Sequence, residues 1–151
     1  GIFMAFTVSA LERCNKESEE TLAVETAEFL QQNISYLKAH QEEFLYAESS
    51  AFADAKMDAV VLEFDEMFKV YTALFGLHLK KKVSQQLKEY LRDNLKGMLG
   101  SSSAMFEGNE GIWEVNIALD AIEGFTGEET FEQAYELLIN FVTSMLEALE
   151  A

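Results

Sequence analysis

The sequence predicts an all-α protein, a single-domain antiparallel bundle of about five to six helices. Three observations carry the prediction. Proline is absent from all 151 residues, which removes the commonest interruption of a helix. The chain is rich in Leu, Ala, Glu, Phe and Met, mostly good helix formers. In Ser50 to Gly76 the apolar residues Ala53, Met57, Val60, Phe64, Met67, Tyr71 and Leu74 recur at alternating spacings of three and four, as they do on one side of a helix.

Taken in order, the elements justify themselves as follows. Residues 1–6 read as disordered, with Met4 a candidate initiator. Ser9 and Glu12 have capping-box spacing and predict a short helix to about Lys16. Ser18 or Thr21 caps the next helix, whose seam runs Ala23, Ala27, Leu30, Ile34, Leu37, Gln41 and Phe44. Ser49-Ser50 is a short link into the central helix, which implies antiparallel neighbours. In that helix Phe64 faces the core, and Leu62 lies on the polar side with Asp58, Glu66 and Lys69. Gly76 ends it.

Leu79, Val83, Leu87, Leu91, Leu95 and Met98 form the next stripe, with Lys81, Lys88, Arg92 and Lys96 opposite. Residues 100–111, GSSSAMFEGNEG, hold four glycines and three serines and read as a flexible loop. Residues 112–119 fit either a strand or a helix. Helix is preferred, because a lone strand has no partner in a bundle. Gly124 to Gly127 is a turn, and Thr126 with Glu129 forms a second capping box. The last helix carries Phe131, Ala134, Leu138, Val142, Met145 and Leu149 on one face.

Charge narrows the function classes. Eleven basic against 27 acidic residues give a net charge of −16, which argues against nucleic-acid and anionic-membrane partners. The distribution is uneven: residues 1–76 carry 5 basic and 14 acidic side chains, 77–99 carry 6 and 2, and 100–151 carry none and 11. Lys81, Lys88, Arg92 and Lys96 are therefore a basic island, read either as a solvated helix face or as an interaction patch. The single cysteine, Cys14, forms no intramolecular disulfide, so a reducing cytoplasm is the expected compartment. No stretch is long and apolar enough to predict a membrane span.

The chemistry sought yields no catalytic residue, metal site or cofactor. A di-iron bundle needs Glu three residues before His, and Leu37 and Phe75 stand there before His40 and His78. One cysteine and two histidines do not make a zinc site. Nucleophilic-elbow, phosphate-loop and dinucleotide glycine patterns are missing. Cys14 reads as a small buried thiol. Asn33, Tyr36, His40 and Gln41 form a candidate polar pocket set, whose alternative role is structural hydrogen bonding.

The expected function is that of a non-catalytic acidic protein acting through a protein partner or self-association. Phe141 and Met145 are candidate anchors of a two-fold homodimer through the terminal helix. The alternative is a small-molecule or lipid carrier whose cavity is lined by the twelve Phe and six Met residues. An enzyme with a dispersed site ranks last.

Overall fold

The computed structural model describes residues 6–97 and 101–150. It overturns the all-α prediction. The chain forms seven strands, β1 (Ala10–Asn15), β2 (Thr21–Val24), β3 (Glu43–Glu48), β4 (Met57–Asp65), β5 (Val70–Leu77), β6 (Ser102–Glu107) and β7 (Ile112–Ala118). Helices α1 (Ser35–Ala39), α2 (Ser50–Asp54), α3 (Ser84–Asn94) and α4 (Phe131–Glu150) are set between and after them. The strands make one sheet of order β2-β1-β3-β4-β5-β7-β6, antiparallel at every pairing.

The predicted central helix is α2 followed by the β4–β5 hairpin. Met57, Val60, Leu62 and Phe64 are buried on β4, and Tyr71, Ala73, Phe75 and Leu77 on β5. Apart from a bulge between Met57 and Val60, that is the period of a strand. Two such strands joined by a short turn imitate a three-and-four pattern when read as one continuous segment. The turn is fixed by Asp65, whose Oδ1 accepts the N–H groups of Met67 and Phe68 at 2.8 and 2.9 Å. Met67 is 82% exposed at this tip, not part of a core face. The orientation predicted for Leu62 is also wrong: it is as buried as Phe64, and both lie on the covered face of the sheet.

Other corrections follow from the same sheet. Ser9 to Lys16 is not a helix; it contributes β1. The predicted helix to Ala47 is β2, a 3-10 turn (Ala27–Gln31), α1 and β3. Residues 102–107 of the predicted loop are β6, and β7 takes the extended alternative for 112–119 because β5 and β6 supply the partners. Most of the predicted disordered start, residues 1–5, and Met98 lie outside the described residues, whereas Phe6 is buried.

The last helix matches its stripe, whereas of the stripe before it only Leu87 and Leu91 lie within α3; Leu79 and Val83 precede the helix and Leu95 follows it. The cap of α4 is Thr130, whose Oγ1 accepts the Gln133 N–H at 3.1 Å while Gln133 Oε1 accepts the Thr130 N–H at 3.0 Å. This reciprocal pair lies four residues beyond the Thr126 box read from the sequence. Phe131, Ala134, Tyr135, Leu138, Val142 and Met145 of α4 are fully buried. The Tyr135 ring lies 5.4 Å from both Phe6 and Phe52, the latter on α2. Residues paired across an antiparallel ladder share a face, so Leu45, Leu62, Ala73 and Ile117 form a continuous apolar row under the helices, which Arg13 ends on β1.

Leu62→Ala is expected to cost about 2–5 kcal/mol and Phe64→Ala about 3–5 kcal/mol. Val61→Ala, on the opposite face, should cost under about 1 kcal/mol. Urea denaturation midpoints separate this arrangement from a helical one. The Tyr135 hydroxyl is buried with no hydrogen-bond partner among the described residues. Tyr135→Phe is therefore expected to hold or raise stability, by on the order of 1 kcal/mol; a clear loss would reveal a buried water on the hydroxyl.

Candidate functional site

The predicted polar set divides in two. Tyr36 and His40 stack with ring centroids 4.0 Å apart, and the Tyr36 hydroxyl donates to Glu43 Oε1 at 3.0 Å. Arg13 completes the cluster by donating to Glu25 at 2.6 Å, to the Tyr36 oxygen at 2.9 Å and to Glu43 at 3.1 Å. Glu43 is the only fully buried charged side chain among the described residues, and this pairing is what lets it stay inside. Hydrogen bonds to Glu25 and Glu43 hold the Arg13 guanidinium far above its ordinary pKa. Asn33 and Gln41 lie apart from this cluster: Asn33 donates to Glu128 O, and Gln41 to Lys38 O. The set therefore ties β1, β3 and α1 together and does not line a common pocket.

The basic island is built on α3 and its flanks. Lys88 places Nζ 6.0 Å from the Trp113 ring, and Arg92 donates to Asp93 at 3.1 Å. Both border an open depression of about 460 Å³ with Ser101, Ser102 and Ser103. Lys81 sits in the 3-10 turn before α3, and Lys96 follows the helix, its backbone N–H on Ala121 O at 2.9 Å. Of the proposed dimer anchors, Met145 is corrected: it is fully buried in the monomer core and presents no surface. Phe141 is half-buried, its ring 5.8 Å from Tyr90 of α3.

What the sequence reading missed is the other face of the sheet. The helices pack on one side, and on the opposite side Phe44, Tyr46, Val61, Leu74 and Ile112 are only half-buried. They share that face with Glu12, Glu48, Glu63 and Glu114, as the strand registers require. Arg13 is the single Lys or Arg in all seven strands, and its partners hold it on the helical side. The open face is therefore apolar and acidic, with no strand cation to offset it.

Two depressions, of about 610 and 310 Å³, hollow this face and meet at Asp58. Their junction depends on Gly76. A Cβ there would come 2.6 Å from Asp58 Oδ2, so glycine lets the carboxylate sit here without shifting. The β4 bulge turns Asp58 toward His78, 2.5 Å away. The Tyr46 hydroxyl donates to Glu48 at 2.6 Å, which pushes its pKa up to about 12. Cys14 is buried in β1, and burial raises its thiol pKa.

No family model, curated protein or solved structure matches this chain. No helix among the described residues is long and apolar enough to cross a membrane. One signal for the open face was present in the sequence: Glu63 and Asp65 alternate with Leu62 and Phe64 in VVLEFD, and lysine is absent from this run and from EFLYAE. It becomes legible once the period is read as two.

Burial raises the Glu63 carboxyl pKa, opposed by the charge of Lys16. The folded state thus holds this proton more tightly than the unfolded chain. The associated stability is present below the unfolded pKa and is lost as pH rises through the folded one. Glu63→Gln is expected to raise stability near neutral pH and to change it little below about pH 4. Urea denaturation at both pH values checks this; equal effects at the two would contradict it.

Proposed function

We propose that the protein is a non-catalytic binding module that seats a basic, amphipathic segment of a protein partner on the open face of its sheet. The observation that supports it is the pairing of half-buried Phe44, Tyr46, Val61, Leu74 and Ile112 with acids on a face to which the strands contribute no lysine or arginine. Apolar contacts supply affinity once water leaves the face. The carboxylates speed encounter with a cationic partner and repel anionic ones. The net charge of −16 extends that preference over the whole molecule.

A second reading, small-molecule binding, draws on one depression of about 220 Å³. It is lined by Leu79, Val83, Leu146 and Leu149, with Lys56, His78 and Lys80 beside them. That is below the roughly 300–1,000 Å³ of ordinary ligand pockets, and the depressions of about 610, 460 and 310 Å³ are open surface hollows, so the docking face ranks first.

The probe is a heptapeptide of alternating Lys and Val. It is expected to bind at least about tenfold more tightly, ~1.4 kcal/mol, than versions in which Ser replaces Val or Glu replaces Lys. Val61→Lys should weaken binding by a similar factor while the circular dichroism spectrum is unchanged. Equal binding of the Ser version, or an indifferent Val61→Lys, would mean that charge alone attracts the peptide.

A further inference from the structure

The open face ends at strand edges, and the two edges differ in kind. At one, β6 carries Met105, 69% exposed, but runs beside Lys88 and Arg92. A basic segment is repelled there. At the other, β2 is Thr21–Val24, four residues with no charge and no proline. Leu22 and Val24 are 49% and 77% exposed. Natural edges are normally blunted by lysine, proline or cover, and an uncovered apolar edge is a template for another strand.

The backbone of β2 supports the same use. Glu25 N–H donates to Leu11 O at 2.8 Å, toward β1. Because successive N–H groups alternate direction along a strand, the Val24 N–H points away from β1, where the sheet has no further strand among the described residues. Exposed Glu17, Glu19 and Glu20 precede β2, and exposed Glu28 follows it. The nearest cations are engaged: Arg13 with Glu25 and Glu43, and Lys16 Nζ with Phe64 O at 2.7 Å.

We infer that β2 is a strand-addition edge for an extended cationic segment, which pairs with the Val24 backbone and lays its alternate apolar side chains beside Val24 on the open face. This rests on the docking reading above for the chemistry of the partner and adds a second point of attachment, three strands from Val61. Main-chain hydrogen bonds supply the register, and Lys or Arg at the segment ends meets the flanking glutamates. A second copy of this chain is a poor occupant, because β2 against β2 would bring those glutamates together.

Strand addition uses one edge of the bound peptide and leaves the other in water. Two versions of the Lys/Val heptapeptide, N-methylated at alternate residues on opposite edges, keep every side chain and charge. One is expected to bind as the parent does, and the other at least tenfold more weakly. Hydrogen exchange at the Val24 amide should slow when the parent binds. Equal affinities of the two versions, loss with both, or unchanged Val24 exchange overturns strand addition. If in those cases the parent peptide still depends on Val61, the docking face stands without it. If the parent does not bind at all, the docking reading itself falls.

Discussion

The contact on which the rest of the structure depends is that between α4 and the covered face of the sheet. A wide antiparallel sheet is stable only when at least one face is dry. Here the dry face is supplied by period-two positions on β3, β4, β5 and β7, from Leu45 and Leu62 to Ala73 and Ile117. Phe131, Tyr135, Leu138, Val142 and Met145 descend on it from a single twenty-residue helix. Aromatic rings thicken this layer: Phe131 stacks on Phe29, and Tyr135 meets Phe6 and Phe52. The shorter helices close the perimeter around α4. Each is too short to be stable by itself or draws its stability from the sheet beneath it.

Covering one face leaves the other to water, and the chain manages that exposure with carboxylates. Glu12, Glu48, Glu63 and Glu114 are interleaved with Phe44, Tyr46, Val61 and Leu74. Such interleaving keeps an apolar sheet face from stacking on its own kind, since two copies bring like charges together. Cations are collected elsewhere, on α3 and its flanks, where Lys88 lies over Trp113 and Arg92 beside Asp93. The molecule thus has an acidic sheet side and a locally basic helical side. A partner with mixed apolar and cationic character satisfies both terms of the sheet side at once.

The one buried ionic cluster belongs to architecture. Arg13, Glu25, Glu43 and Tyr36 tie α1 to the paired strands β1 and β3, and His40 stacks on Tyr36. Removing a single member would strand a charge in a dry place. The Asp58–His78 pair differs from it, being half-exposed on the open side, next to the glycine that makes room for it.

Local sequence by itself indicated α4 and the middle of α3, where Phe131 to Met145 and Leu87 to Leu91 recur at helical spacing. It also determined the charge segregation and the turn at Gly124 to Gly127, whereas the turn at Asp65 fell inside a stretch that reads as helix. Only the tertiary structure decided that Ser50 to Gly76 is α2 plus a hairpin, and that Ile112–Ala118 is β7. Short apolar runs satisfy both periods within one or two turns, and the choice rests on hydrogen-bonding partners distant in sequence. Val60 opposite Phe75, and Val115 beyond it, exist as neighbours only in the assembled sheet. The open acidic face was hidden for the same reason: it is the set of alternate residues that the helices do not reach, and no single segment shows which alternate set that is.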